Sequence, residues 1–558
     1  MISLNAHLCA FSAPKKIHHL QVFFSGVLYN LTQLVAQHTL AAPDPETAIA
    51  VLYKKLGPEI ATHLDGAYAI VILDGPDLTL LRDREGLESL YYTKKNDAVI
   101  ISNSMQEIKK LVKLEVNSRD LPKYFVLDQI NDEHTFFKDV YQVKILEILK
   151  VHCADNTWQS RTYDPIAYAP MRGERLDDDQ IVTRLEELLA DRIRTLIAAF
   201  PHSPVLNTQS GGTDSALTQC LLKNLGSNQS ICANFSTYGL DAQYSQEVAH
   251  HLGSDHTIVE VGVAQFLENL QEGIKVFGMP LIFEGESMFN FMYKQLGRQT
   301  SPHGPPVICF DSNGADAILG HGRLLMALNV IEKSPGFFGF LTRVARHVAR
   351  NPVVGMMHEI AKGARTGDMT PQLYFAIFNL NARVELVRKA FGLTDVTFIP
   401  EFELAEQAKY PVSLLERMYR LQVFQYEVKR INNITFQLAR RCNVIMLYPF
   451  RDKSLTEFFL NIPTGRKVKH RVQKYYGKKL LTKYLPAELV YRQKINKGIP
   501  YQKIFKEEAG FAALISEIRE ARYRYFDFDL DAVFGTPGLE GFAMKVINFH
   551  IWHELFIA

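Results

Sequence analysis

One stretch of sequence decides the fold: residues 204–215, PVLNTQSGGTDS. A short apolar run leads into two glycines, and residues 216–218, ALT, then continue as a helix-like segment. Strand, glycine turn and helix in this order set backbone N–H groups and a positive dipole end against a phosphate. The glycines let the backbone close around the anion, the serines donate hydrogen bonds, and Asp214 offers a hard oxygen to Mg²⁺. A glycine turn that only opens a helix is the alternative.

The surrounding pattern predicts a mainly parallel sheet. Helical periodicity covers residues 182–193, apolar strand-like runs occupy 231–235 and 307–310, and a helical segment lies near 244–252. Strands that alternate with helices form parallel sheets, which bind ligands at the carboxyl ends of the strands. Past Gly322 we expect helix to the end of the chain.

The glycine turn resembles the SGGxDS signature of the PP-loop pyrophosphatases, which cleave a nucleotide between its α and β phosphates. It does not match GxxxxGK[ST], so transfer of the γ-phosphate is not implied. About a hundred residues later, residues 311–322, DSNGADAILGHG, follow a second strand. They resemble the SGEGADELFGG stretch of asparagine synthetases, in which the aspartate that matches Asp316 shares magnesium with the PP-loop aspartate.

The resemblance extends over most of the chain. Residues 64–74, LDGAYAIVILD, and 82–92, RDREGLESLYY, resemble two segments of the class II glutamine amidotransferase domain, LxGxFAFxxxD and RDxxGxxPLYY. Nearer the end, residues 448–452, YPFRD, and 485–494, LPAELVYRQK, resemble the family's VPFLD and LPxxxxxRxK. Only in the stretch from about 323 to 410 do we recognise no segment of the family.

The chain is therefore identified as a member of the asparagine synthetase family with a degenerate class II glutaminase domain. The resemblance implies an α/β fold: an amidotransferase-like αββα sandwich over residues 1–165, and a PP-loop domain related to the adenine nucleotide α hydrolases over 175–558. The second domain would hold a parallel sheet and a helical carboxyl-terminal part. A length of 558 residues agrees, because single hydrophobic cores stop growing at roughly 250–300 residues.

The resemblance also implies a carbon–nitrogen ligase that uses ATP and Mg²⁺. Asp214 and Asp316 would bind the metal. Lys494 would steady the charged transition state of amide formation, with Lys497 as the alternative. The residues implied in binding ATP and pyrophosphate are Ser210, Gly211, Gly212, Thr213, Asp214, Ser215 and Gly314.

The amino-terminal part departs from active glutaminases. These enzymes use an amino-terminal cysteine as nucleophile, whereas the second residue here is Ile2, and the family's NGExYN appears as SGVLYN at 25–30. We expect an inactive glutaminase, so that an amine other than glutamine-derived ammonia meets the adenylated carboxylate. Relatives with this loss include β-lactam synthetases and lasso peptide cyclases, so an intramolecular cyclase is the leading expectation.

Three alternatives stay open: an asparagine synthetase-like enzyme that uses free ammonia, a pseudoenzyme that binds a partner, and a PP-loop tRNA-modifying enzyme. Asn313 and Ala317 mildly favour the second, since both depart from the SGEGADE pattern. The third is disfavoured because the sequence shows no RNA-binding module and because a tRNA-modifying enzyme would not explain the amidotransferase-like amino-terminal half. The sequence identifies neither the carboxylate nor the amine, which could belong to a small molecule or a peptide.

Composition narrows the expected partners. A net charge of +2 gives the protein no strong overall positive potential that would attract nucleic acid. The basic run 466–483 does not change this expectation, because its position in the family implies that one or two of its cations contact the phosphates of the nucleotide. The six cysteines form no CxxC pair, as expected for reduced thiols. No apolar stretch reaches the roughly 18 residues of a transmembrane helix, so we expect a cytoplasmic protein. The 323–410 insert is a candidate site for a partner protein or peptide.

Overall fold

The structure is a computed structural model. It describes residues 6–9, 15–17, 19–40, 44–95, 98–128, 130, 133–155, 157–163, 176–235, 241–281, 285–298, 304–348, 358, 360–363, 374–375, 380–396, 413–424, 426–492 and 499–558. The predicted domain boundary, between 165 and 175, lies outside these residues. The predicted division of the chain into 1–165 and 175–558 therefore stays a prediction.

The amino-terminal part contains two mostly antiparallel sheets. The first has the strand order β1-β7-β6-β8 and the second the order β10-β9-β5-β4-β3-β2. Their strands are β1 Ala6–Cys9, β2 Lys15–Ile17, β3 Leu20–Leu28, β4 Gly66–Asp74, β5 Asp77–Arg82, β6 Tyr91–Lys95, β7 Ala98–Ser102, β8 Val140–Gln142, β9 Glu147–His152 and β10 Thr157–Thr162.

Alternation along the strands explains why these sheets form a sandwich. In β4, Ala69 and Val71 belong to an apolar cluster that also contains Ile101 of the other sheet, so they face between the sheets. Ile70 and Ile72 belong instead to the cluster under the helices Leu31–His38 and Pro45–Leu56. Because successive strand side chains point to opposite faces, one strand serves both layers. The predicted αββα sandwich is confirmed.

The second part of the chain is built on a five-stranded parallel sheet. Its strand order is β13-β12-β11-β14-β15, which places β11 at the centre with β14 beside it. The strands are β11 Val205–Thr208, β12 Gln229–Phe235, β13 Asp255–Val261, β14 Val307–Phe310 and β15 Val444–Leu447. This confirms the predicted parallel sheet.

Helices surround this sheet and make up most of the carboxyl-terminal part. Those before β14 are Asp178–Ala198, Thr213–Asn224, Asp241–Leu252, Val263–Phe277 and Gly285–Arg298. Those between β14 and β15 include Ala315–Leu319, Arg323–Ile331, Pro335–Val348, Asn381–Ala390, Leu414–Phe424 and Tyr426–Arg440. After β15 come Lys453–Asn461, Thr464–Lys467, Tyr475–Leu481, Ala487–Tyr491, Tyr501–Glu507, Ala509–Glu520, Leu530–Gly535 and Glu540–Phe556. Two further helices lie in the amino-terminal part of the chain, Met105–Leu111 and Leu121–Leu127.

The expectation of helix throughout the chain after Gly322 is wrong at one place. Residues Val444–Leu447 form β15, an edge strand of the parallel sheet, and all four are buried. An apolar run this short reads equally well as a piece of buried helix, so periodicity could not identify it. β15 matters for the site because it leads directly into the YPFRD block.

The described residues contain no single helix that is both long and apolar enough to cross a membrane. One bent pair, Ala315–Ile331 with Gly336–Arg343, meets the requirements of length and composition only.

Candidate active site

The PP-loop connects β11 to the helix Thr213–Asn224 as the sequence predicted. Gly211 has a φ of +72°, and a Cβ atom there would lie 2.3 Å from the carbonyl carbon of Tyr244. Only glycine fits such a position. Gly212 is the N-cap of the helix, whose first N–H groups consequently have no intrahelical partner. The loop therefore offers backbone donors at the carboxyl end of the central strand.

A cavity of about 1030 Å³ opens above this loop. It is lined by the whole segment Ser210–Ser215, by Asp311 directly after β14, and by Asp316 in the first turn of the helix Ala315–Leu319. The sequence-predicted residues that meet in it are Ser210, Gly211, Gly212, Thr213, Asp214, Ser215 and Asp316. Its volume is at the upper end of the range for small-molecule sites, enough for a nucleotide with a second substrate.

Two predicted site residues do not join this group. Gly314 is not among the residues that line the cavity; a Cβ atom on it would lie 2.5 Å from Cδ of Arg451. That close approach and a φ of +99° explain why a glycine occupies this position. Lys494 lies outside the described residues, as does Lys497. Their roles stay predictions.

Lys474 is the site residue that the sequence did not single out. Its ammonium group forms ion pairs with both Asp214 and Asp316, and its side chain is only 10% exposed. Burial alone would lower the pKa of Lys474, but the two carboxylates outweigh that effect and raise it. A permanent positive charge thus lies between the two predicted metal ligands.

The sequence did not predict Lys474, and the local backbone shows how it reaches the site. It lies in the basic run 466–483, where one or two cations were expected at phosphate, but spacing cannot choose among nine basic residues. Lys474 has a left-handed conformation, with φ +53°, just before the helix Tyr475–Leu481, and its N–H donates to the carbonyl of Gly320. That contact ties it to the end of the helix that carries Asp316.

The two aspartates fit a magnesium ion. Asp214 Oδ1 is buried and has no hydrogen-bond partner, while Asp214 Oδ2 contacts Lys474. No group of three metal-binding side chains occurs among the described residues, so phosphate oxygens and water would complete the coordination. Mg²⁺ commonly binds to one or two carboxylates plus substrate phosphates.

The block that ends in Lys494 reaches the rim of the same cavity. Arg492 lines it, donates to the carbonyl of Gly211 at 2.5 Å and pairs with Glu247 at 2.6 Å. Its guanidinium also lies over the ring of Tyr244, 4.3 Å from the centroid. Arg492 thereby fixes the approach of the LPxxxxxRxK block to the PP-loop, two residues before Lys494.

The resemblance places Ser25 where active glutaminases carry the asparagine of NGExYN, which helps to form their oxyanion hole, and here Ser25 is contacted from both parts of the chain. The hydroxyl of Ser25 accepts hydrogen bonds from Asn103 Nδ2 at 2.9 Å and from Arg440 Nη1 at 3.1 Å. Arg440 also forms an ion pair with Glu88, which is fully buried. Ile2, at the position of the family's nucleophile, lies outside the described residues.

Comparison with known proteins places both parts of the chain. The family described as Glutamine amidotransferase domain matches residues 12–163, and the one described as Asparagine synthase matches residues 184–532. The chain is 23% identical over 499 residues to the amidase chry2 of Gibberella zeae, covering 80% of this chain and 71% of that protein. It is 24% identical over 204 residues to the amidase chyE of Penicillium rubens, covering 35% and 29%.

Two solved structures are also similar, each with a TM-score of 0.21. The glutamine PRPP amidotransferase of B. subtilis is 14% identical, covering 45% of this chain and 72% of that one. The NH3-dependent NAD synthetase of Campylobacter jejuni is 16% identical, covering 38% and 97%. The Asparagine synthase match spans more than half of the chain, and on that ground this protein belongs to the asparagine synthase family, an ATP-dependent carbon–nitrogen ligase with a glutamine amidotransferase domain in front.

Proposed function

We propose that this ligase adenylates a substrate carboxylate, releases pyrophosphate and condenses the acyl-adenylate with an amine that does not come from glutamine. The observation that carries the proposal is the cavity in which the PP-loop, Asp214, Asp316 and Lys474 converge. A pyrophosphate-binding loop, two hard ligands and a buried cation serve cleavage between the α and β phosphates of ATP.

In the first step the substrate carboxylate attacks the α-phosphate, and pyrophosphate leaves. The N–H groups at the start of the helix Thr213–Asn224 and the ammonium of Lys474 would stabilise the charge that develops on pyrophosphate. Asp214 and Asp316 would hold Mg²⁺, which when bound screens the triphosphate charge. In the second step an amine attacks the acyl carbon, and Lys494 would stabilise the tetrahedral oxyanion.

The source of the amine would distinguish this enzyme from the asparagine synthetases. Ser25 replaces the asparagine of NGExYN, and its hydroxyl is held by Asn103 and Arg440. A serine hydroxyl held by these two donors is poorly suited to stabilise the oxyanion that forms during glutamine hydrolysis. An amine on the carboxylate substrate itself would make the enzyme a cyclase of the lasso peptide or β-lactam type; an amine on a second molecule would make it an intermolecular amide synthetase. Two relatives are named amidases, which agrees with amide chemistry but identifies no substrate.

The proposal is tested with hydroxylamine as a small surrogate amine. The full chain is incubated with ATP, Mg²⁺ and a panel of carboxylates, namely the amino acids, their N-acetyl forms and short peptides. We expect AMP and pyrophosphate in equal amounts, with a hydroxamate, for at least one member. A carboxylate that cyclises would give a product one water lighter without hydroxylamine. ADP with phosphate would show that the loop has been misinterpreted, and nucleotide binding without any product would favour a pseudoenzyme.

Glutamine is expected to yield no glutamate. The Ser25 contacts give no oxyanion hole of the family type, so hydrolysis should match a boiled-enzyme control in the presence and absence of ATP and the carboxylate. A coupled glutamate dehydrogenase assay measures this directly. Glutamate above the control would show that the amino-terminal domain is an active glutaminase.

A further inference from the structure

Asp311 is an acidic residue of the nucleotide cavity that neither the proposed metal site nor the phosphate site uses. It immediately follows β14, next to the central strand, and lines the cavity with Asp214 and Asp316. Those two aspartates pair with Lys474. Among the described residues, the hydrogen-bond donors to Asp311 are neutral: Thr208 Oγ1 donates to Oδ2 at 3.0 Å, and the backbone N–H of Asn313 donates to Oδ1 at 2.7 Å.

No basic side chain of the described part of the chain lies within ion-pairing distance of the Asp311 carboxylate. Burial raises the pKa of Asp311, and the hydrogen bonds from Asn313 and Thr208 oppose that shift. The titratable groups packed against it offer no positive charge. Tyr293, Tyr448 and Cys309 all have raised pKa values because they are buried, so they stay neutral. The positive charge of a bound ligand would stabilise the ionised form of a carboxylate in this setting.

The walls beside Asp311 are partly apolar. Met292 precedes Tyr293 on the helix Gly285–Arg298, and Ile431 precedes Asn432 on the helix Tyr426–Arg440; both line the cavity. Asn432 Oδ1 accepts a hydrogen bond from Asn313 Nδ2 at 2.6 Å, which fixes that helix next to the Asp311 loop. A carboxylate in a partly apolar cavity suits an ammonium group on a carbon chain better than a strongly hydrated metal ion.

The geometry points to Asp311 as the group that binds the amine substrate as its ammonium and takes its proton, with the amine carried on an apolar chain. This inference rests on the proposed function, since the amine is the nucleophile of the second step. The SGEGADE pattern has serine where Asp311 stands, so the carboxylate is a feature of this chain.

A primary amine with a pKa near that of lysine, about 10.4, is almost fully protonated at neutral pH and has no lone pair for attack. Asp311 removes one proton, and the nitrogen lone pair forms the C–N bond to the acyl carbon. The tetrahedral oxyanion then collapses, the C–O bond to the phosphate breaks, and its electron pair leaves on AMP. The second N–H proton passes to solvent. General base catalysis of this kind commonly contributes about 10²–10⁴-fold in rate.

A binding experiment tests the inference without knowledge of the carboxylate. Benzylamine is the probe, with benzyl alcohol as the uncharged control at equal ionic strength, and the midpoint of thermal unfolding is followed. The wild-type chain should be stabilised saturably by benzylamine and not by benzyl alcohol. Asp311→Asn should bind benzylamine at least about tenfold more weakly. Asp529→Asn, which replaces an N-cap carboxylate that does not line the cavity and accepts from a backbone N–H, should behave like wild type.

A kinetic experiment then assigns the step, using the carboxylate that the hydroxylamine screen identifies. Hydroxylamine is largely uncharged at neutral pH and needs no base, whereas benzylamine does. Asp311→Asn should therefore lose amide formation with benzylamine at least about a hundredfold more than hydroxamate formation, and raising the pH should restore part of the loss. Ammonium chloride should be a poorer substrate than benzylamine for the wild type, because it cannot use the apolar wall.

Several results would overturn the assignment. Equal benzylamine binding by wild type and Asp311→Asn, or no binding by the wild type, would remove the amine site. Equal losses with both nucleophiles would place Asp311 in adenylation. A tenfold increase in the Mg²⁺ needed for pyrophosphate exchange would make it a metal ligand. If the wild type formed no hydroxamate with any carboxylate, the proposed function would fail, and the benzylamine experiment would still decide whether Asp311 binds an amine.

Discussion

Replacing Asp214 or Asp316 with alanine is expected to lower carboxylate-dependent exchange of pyrophosphate into ATP by about three orders of magnitude or more. Each substitution removes a predicted metal ligand and also a partner of Lys474. One electrostatic stabiliser is commonly worth roughly a hundred- to a thousandfold in rate, and here two are affected together. Without the metal, the triphosphate can neither sit correctly nor release pyrophosphate easily. Exchange of labelled pyrophosphate into ATP measures the effect.

Nucleotide binding distinguishes a lost metal site from a lost fold. The stabilisation of the wild-type chain by ATP with Mg²⁺, measured as a shift in thermal midpoint, should shrink strongly in Asp214→Ala and Asp316→Ala. Asp255→Ala is the matched control, since Asp255 begins the edge strand β13 and does not line the cavity. It should keep both exchange and stabilisation. Normal exchange in Asp214→Ala would contradict the site.

The sequence predicted most of the fold because its decisive segments are local. β14 coincides with the predicted strand 307–310, and β11 begins one residue inside the predicted run. These strands are apolar or alternating, and turn residues bound them. β13 and β15 were missed. β13 is a half-exposed edge strand and β15 is a short buried run, and neither has a period that separates strand from helix.

The candidate site was predictable where chemistry is written into a contiguous motif. The loop residues and Asp316 converge in one cavity because the carboxyl ends of β11 and β14 are neighbours in a parallel sheet. Lys474 was not predictable, because it lies about 260 positions from Asp214 along the chain. It is a left-handed residue between two helices, and this conformation is not evident from the sequence. In the sequence, Asp311 is only one residue of the segment 311–322, and nothing there distinguishes it. That no described basic side chain pairs with its carboxylate becomes evident when the walls of the cavity are known.

Lys494→Ala is expected to differ in kind from Lys474→Ala. Lys474 contacts both aspartates, so its loss should lower pyrophosphate exchange and amide formation together. Lys494 is predicted to act on the acyl-adenylate. Its loss should leave much of the exchange and lower amide formation by about two to three orders of magnitude, the usual scale for one electrostatic stabiliser. Measuring exchange and amide product in the same preparations separates the two steps.

Arg492 gives this prediction its structural basis. Its bonds to Gly211 and Glu247 bring the chain to the rim of the cavity two residues before Lys494. Lys503→Ala is a suitable control, because Lys503 lies on the following helix and pairs with Glu507 at an exposed position. Equal loss of exchange and product in a folded Lys494→Ala variant would assign the lysine to adenylation. Product at the normal rate would transfer the role to Lys497 and shift the carboxyl-terminal block by three residues.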